Sequence, residues 1–272
     1  MATAHSSNPE AQPAIGLAAF RAALPPGTGE SEVAGALCAI GEAAHCERGE
    51  ALPPDPDNDR LVWIASGSAK LVAPQPAAGG TASAPAAASA TGQVLAFHFA
   101  GDLVSVLRHR ASEAWGDFRL VALTPCDLVI FPAERFLDAA QSDPVVLRSV
   151  LTRSLQAVHR SQTRMMQMGH KSAAARIADF LVSMAERLGG VTEGECAFAL
   201  PMSRRDIGDS LGLTIETVSR QLTELREAGL VTTEGRSKVA LSDVGALARI
   251  AGRNGVAAQP AGAPGNGKPA KN

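Results

Sequence analysis

This 272-residue chain has few cysteines, no long apolar run and a formal net charge of only −2. The four cysteines, Cys38, Cys46, Cys126 and Cys196, lie far apart, whereas an iron-sulfur cluster normally needs four thiolates with several closely spaced. The first residues, MATAHSSNPE, lack the basic stretch and apolar core of a secretory signal. No run approaches the roughly 18 apolar residues that a membrane span requires. The expectation is a cytoplasmic protein with reduced thiols and no membrane association. No nucleophile–base pair or metal-ligand constellation stands out, so an enzyme is not expected.

The near-zero net charge hides an asymmetry. Residues 1–143 hold 8 Lys and Arg against 16 Asp and Glu, whereas residues 144–253 hold 15 against 11. An acidic front and a basic back suit a sensor joined to a nucleic-acid-binding unit.

The basic part contains LPMSRRDIGDSLGLTIETVSRQLTELREAGLV, residues 200–231. Ser203 with Asp206 three positions later forms a capping-box-like helix start before Ile207 and Leu211. Gly212 ends that helix. Thr214 can cap a second, whose apolar positions are Ile215, Val218, Leu222 and Leu225 and which stops at Ala228-Gly229. Two short helices around a glycine turn predict a helix-turn-helix, with the second helix in the DNA major groove. Glu216, Thr217, Ser219 and Arg220 occupy its first two turns. There an arginine can contact guanine O6 and N7, and a carboxylate can accept from cytosine N4. Ser203 and Arg204 at the first helix, with Thr214, complete the expected DNA-contacting set.

Upstream, RLVWIASGSAKLVA reads as two strands around Ser66-Gly67-Ser68. GQVLAFHFAGDLVSV reads as two more around Ala100-Gly101-Asp102, and FRLVALTPCDLVIFP closes the series. Short strands from about Leu37 to Phe131, with GEAL before a Pro/Asp-rich turn, predict a β-sandwich or jelly-roll barrel over residues 31–143. Residues 74–92 are low-complexity and are expected to form a solvent-exposed insertion. Residues 1–30 are expected to be a mobile arm, with the apolar patch AIGLAAFRAAL as one loosely docked helical turn or two, and residues 254–272 a disordered tail. Asp143-Pro144 starts a long helix over 144–169. Its Leu151, Leu155, Val158, Gln162 and Met165 follow the 4-3-4-3 spacing of a coiled-coil seam, which suits pairing with a second copy. KSAAARIADFLVSMAERLGG leads into a DNA-binding domain over 170–253, where ECAFALP and LVTTEGRSKVALSD flank the helix pair as strands of a wing.

The run IETVSR resembles the recognition helix of the Crp/Fnr superfamily of transcription regulators. Glu216, Ser219 and Arg220 match the Glu-x-x-Ser-Arg pattern of its Fnr/FixK branch. The likeness covers about residues 144–250 and is weaker upstream, where FHFAGDLVSV is similar to the family's strand-turn segment. It implies an α+β architecture: an N-terminal β jelly-roll barrel of the cyclic-nucleotide-binding type, a long dimerisation helix and a C-terminal winged helix-turn-helix. It also implies a homodimer that binds double-stranded DNA at a TTGAT-type palindrome and contacts RNA polymerase.

The signal is less legible. The resembled nucleotide-binding members carry a Gly-Glu pair and a following Arg-Ser or Arg-Thr. GDLVSVLRHRASEAWGD lacks the pair, and Arg110 precedes Ala111, so no cyclic nucleotide is expected. Oxygen-sensing members carry a tight N-terminal cysteine cluster. Here Cys38 and Cys46 stand without a third thiol nearby, so no cluster is expected either. Haem through one of His45, His98, His109, His159 or His170, or oxidation of Cys196 just before the helix-turn-helix, is the alternative means of sensing oxygen, nitric oxide or oxidants. The expectation is no cofactor.

Overall fold

Glycine and proline turns cut the N-terminal half into strands of four to eight residues, and such strands bury a face only by stacking sheet on sheet. The computed structural model describes residues 12–74, 92–106, 118–235 and 237–253. In chain order its helices are α1 (Gln12–Ala22), α2 (Glu32–Ile40), α3 (Ala133–Ala140), α4 (Pro144–His170), α5 (Ala173–Met184), α6 (Arg204–Leu211), α7 (Ile215–Glu227) and α8 (Val244–Ile250). Its strands are β1 (Glu42–Cys46), β2 (Arg60–Ser66), β3 (Ser68–Pro74), β4 (Gly92–Phe99), β5 (Leu103–Val106), β6 (Arg119–Ala122), β7 (Cys126–Pro132), β8 (Cys196–Ala199), β9 (Val231–Glu234) and β10 (Lys238–Leu241). Two compact units result. Of the described residues, one holds those up to Gly169 together with Pro201–Ile215, the other His170–Leu200 with those from Glu216 onward.

In the first unit two antiparallel sheets, ordered β1-β7-β2-β5 and β4-β3-β6, form the jelly roll. Both expected strand pairs occur, but neither is a hairpin. Each glycine turn carries the chain from one sheet to the other, Gly67 between β2 and β3 and Gly101 between β4 and β5. Gly67 has φ +83°, and a Cβ there would lie 2.2 Å from the Pro125 carbonyl oxygen, so only glycine fits this corner. Between the sheets pack Val62, Ile64, Ala69, Val104, Leu120, Ala122 and Leu128.

Three expectations need correction here. Residues 12–30 are not a mobile arm. Helix α1 buries Phe20 against Trp63, Phe131 and Phe136, at ring-centroid distances of 5.5, 4.8 and 6.4 Å. One aromatic filling a gap in the core outweighs an Ala/Pro-rich composition, since such rings carry large buried areas. Leu37 does not begin a β pattern but sits in α2, which Ser31 caps by accepting the Ala34 N–H at 3.2 Å. GEAL forms no strand, with Ala51 making only a single bridge to Val121. The low-complexity stretch (residues 75–91), the tail beyond Arg253, Arg108, His109 and Arg110 lie outside the described residues.

Helix α4 starts as expected. Pro144 occupies its first position, and Asp143 Oδ1 accepts the N–H groups of Val145 and Val146 at 2.9 and 3.3 Å.

The second unit is built on α5, capped by Ser172, whose hydroxyl accepts the Ala175 N–H at 3.2 Å. The helix runs on into a π-helical turn, Ala185–Gly189, and ends at Gly190 with φ +64°. Strands β8, β10 and β9 form a three-stranded antiparallel sheet, as the flanking segments predicted. Asp179, buried in α5, accepts from Lys171 Nζ at 3.0 Å and Arg253 Nε at 2.8 Å. Among the described residues no helix is long and apolar enough to cross a membrane.

Candidate nucleic-acid interface

The predicted capping box at the start of α6 is present. Ser203 Oγ accepts the Asp206 N–H at 3.1 Å, and Asp206 Oδ2 accepts the Ser203 N–H at 2.9 Å. The second carboxylate oxygen of Asp206 does something the sequence did not signal. It pairs with Lys70 Nζ of β3 at 2.5 Å, both side chains being buried. A second tie joins Gln93 Nε2 of β4 to the Asp209 carbonyl at 2.9 Å. Lys70 stands on the outward face of an alternating strand, where lysine is ordinarily solvated, so its burial was invisible before α6 was in place.

Burial by itself would raise the Asp206 carboxyl, but the Lys70 and Ser203 hydrogen bonds outweigh it and hold the group below the usual carboxylate range. The same balance holds for Asp179, with Arg253 and Lys171 as donors. A carboxyl lowered in the folded state contributes stability above its unfolded value of about 3.9, lost as pH falls through the folded value. Through these carboxylates both units should lose stability as pH falls below about 4. Calorimetric scans across this range test it, and a melting temperature unchanged down to pH 3 would contradict it.

Helix α6 closes on Gly212, which is left-handed at φ 63° and donates its N–H to the Gly208 carbonyl. Helix α7 follows after Thr214. Val218 and Leu225 are fully buried and Leu222 half-buried, as the spacing predicts. Ile215 departs from the prediction, being 41% exposed at the first residue of the helix. The inner face also holds a polar residue that hydropathy missed, Gln221, whose amide donates to Glu224 Oε2 at 2.9 Å.

Glu216 and Arg220 are exposed, and Thr217 and Ser219 are half-buried. Arg220 Nε lies 3.8 Å from Glu224 Oε1, an exposed pair one turn apart that competes weakly with a nucleic-acid contact. In the first unit Ser203, Arg204 and Thr214 are exposed as well. The outer end of the wing, between β9 and β10, carries the exposed pair Lys238–Glu234 at 3.2 Å.

Leu151, Leu155, Val158 and Met165 of α4 are 53–62% exposed, and Gln162 is exposed beside them. Another part of the helix surface is anchored, with Arg153 donating to the Gly101 carbonyl at 3.0 Å and Arg164 to the Leu95 carbonyl. The predicted seam is thus an uncovered apolar stripe on a helix held to the barrel.

The candidate sensing residues are dispersed. His45 is partly exposed, with Nδ1 2.8 Å from Asp127 Oδ1; this hydrogen bond raises the imidazole above its ordinary value. His98 shares a register position with Ala69 and Ala122, residues of the barrel core. Its Nδ1 is 3.5 Å from Asp102 Oδ2, and its Nε2 is buried without a hydrogen-bond partner. His159 and His170 are exposed on α4. Among the described residues no group of three or more His, Cys, Asp or Glu is gathered for a metal. Cys38 lies in α2, apart from Cys46 and Cys126 in the barrel. Cys196 is buried in β8 with its sulfur against Gly189.

Residues 175–250 match the Crp-like helix-turn-helix domain family. The chain is 37% identical over 134 residues to a nitrogen fixation regulation protein FixK of Azorhizobium caulinodans, covering 49% of this chain and 54% of that one. It is likewise 37% identical over 141 residues to FixK of Rhizobium meliloti, covering 51% and 59%. The matched stretches thus span little more than half of these relatives. In three dimensions the fold is similar to FixK2 from Bradyrhizobium japonicum, with a TM-score of 0.60 at 24% identity, over 78% of this chain and 97% of that one.

Proposed function

Because the chain belongs to the Crp/Fnr superfamily and resembles its FixK branch, we propose that it is a homodimeric, sequence-specific transcription regulator that binds a TTGAT-type palindrome. The observation that carries this is the polar face of α7, where Glu216, Ser219 and Arg220 lie on one side while Val218 and Leu225 are buried. The first turns of such a helix reach base edges, and phosphate contacts from flanking side chains set its register. Ser203, Arg204, Thr214 and Thr217 supply such contacts in this reading. The exposed stripe on α4 supports the dimer, which places two such faces on two half-sites. The barrel, with its thiols divided between two clusters, acts without an iron-sulfur cluster or a cyclic nucleotide and offers a surface to RNA polymerase in the cytoplasm.

Glu216 is the most demanding test. A carboxylate facing a polyanion weakens binding unless it meets a donor, and cytosine N4 is one. Glu216→Gln removes the charge and keeps the size. In a binding selection on randomised half-sites at fixed salt, the variant is expected to lose discrimination at a single base-pair position while non-specific affinity rises. An unchanged preference at every position would reduce Glu216 to a first-turn residue favoured by the helix dipole.

A further inference from the structure

Two of the four cysteines meet across a strand pair. Cys46 ends β1, Cys126 begins β7, and the two are direct register partners in the antiparallel ladder. Their side chains therefore share a face, and both belong to the same buried cluster between the sheets. Directly opposed residues of an antiparallel pair have Cα atoms about 4.5–5.5 Å apart, inside the 4.4–6.8 Å that a disulfide spans. Both thiols are free, and Cys126 Sγ lies 3.0 and 3.1 Å from the Ser68 and Thr124 carbonyl oxygens, which share its one S–H.

We propose that Cys46 and Cys126 form a reversible cross-strand disulfide, making the barrel a thiol–disulfide switch that responds to a low-molecular-weight disulfide. The position of Cys46 supplies the access. It is the last residue of the outermost strand of its sheet, and exposed Glu47, Arg48, Gly49 and Glu50 follow it. Strand ends at a sheet edge open locally at low cost, so Cys46 can reach solvent while the rest of the barrel stays closed. Cys126 is pinned by its two carbonyl contacts and is the resolving partner. In the closed state burial pushes the Cys46 thiol up to about 11, with Glu50 and Cys126 adding to the rise, so it stays protonated until the strand end opens.

The exchange balances as two displacements. The Cys46 thiolate attacks one sulfur of oxidised glutathione, whose S–S bond breaks and releases one glutathione thiolate. The Cys126 thiolate then attacks Cys46 Sγ and displaces the second. Two protein thiols are oxidised, one disulfide is reduced, and the two protons end on the released glutathiones. Opposed Cβ atoms sit about 4.5–5.5 Å apart, against about 3.8 Å in a relaxed disulfide. The strands must draw together, and a bond under such strain is the easily reduced, regulatory kind. The site lies wholly in the first unit, so its chemistry stands independently of the DNA-binding proposal.

The test uses the full chain, reduced anaerobically and equilibrated in buffers of graded reduced-to-oxidised glutathione ratio. Acid quenching, alkylation, thiol counting and peptide mass spectrometry follow. The expected result is loss of two thiols of four, one linked peptide pair joining Cys46 to Cys126, and full recovery on adding dithiothreitol. Cys126→Ser should instead stop at a glutathione adduct on Cys46, and Cys46→Ser should form no bridge. Should either variant fail to fold, the linked peptide in the unaltered chain decides alone. Four thiols surviving at every ratio, a bridge through Cys38 or Cys196, or a lasting glutathione adduct on the unaltered chain would overturn the proposal.

Discussion

A chain carrying Leu155→Glu and Val158→Glu is expected to be monomeric by light scattering and to lose specific DNA binding at the same time. Both side chains are more than half exposed in the single chain and continue a stripe with Leu151 and Met165. Isolated exposed apolar residues are ordinary, but a file of them along one helix marks a surface that a partner covers. Neither residue contributes to the packed interior of its own chain, so the substitutions should leave folding intact. Charges facing their own copies across a two-fold would instead oppose association. Two half-sites read by one dimer gain from effective concentration, and a monomer forfeits about 10²–10⁴-fold of apparent affinity. A doubly substituted chain that remains dimeric would place the interface elsewhere.

Arg220→Ala should have the next largest effect. The side chain is exposed, and its one exposed ion pair, with Glu224, is worth little to the fold, so stability should change by less than about 0.5 kcal/mol. A lost bidentate guanine contact costs about 1–3 kcal/mol per half-site. Over two half-sites specific affinity should fall by about 30-fold to 10⁴-fold, while binding to unrelated DNA weakens only slightly. Fluorescence anisotropy on a palindromic and a scrambled duplex separates the two. Equal losses on both duplexes would make Arg220 a phosphate contact without a reading role.

The sequence announced the parts whose cause is local. Ser203 with Asp206 three residues on produced a capping box, and Gly212 ended α6 in the left-handed region. Pro144 after Asp143 began α4. The turns at Gly67 and Gly101 were legible as turns, but not as passages between sheets, because strand pairing is set by partners distant in the chain.

The same reason hid Lys70, whose burial exists only once α6 supplies Asp206. It hid Phe20, which low-complexity neighbours disguised, and the Cys46–Cys126 register, which no spacing reveals. The polar face of α7 was legible in the sequence, because amphipathic periodicity alone separates Val218 and Leu225 from Glu216, Ser219 and Arg220.

The most direct test is a titration of the unaltered protein on a duplex bearing a TTGAT-type palindrome and on its scrambled counterpart, at several salt concentrations. The account predicts two chains bound per palindrome, with affinity for it at least about 10³-fold above that for the scrambled duplex at physiological salt. Both affinities should fall with added salt as counterions are released from the backbone. Equal affinity for the two duplexes, or one chain bound per site, would contradict it.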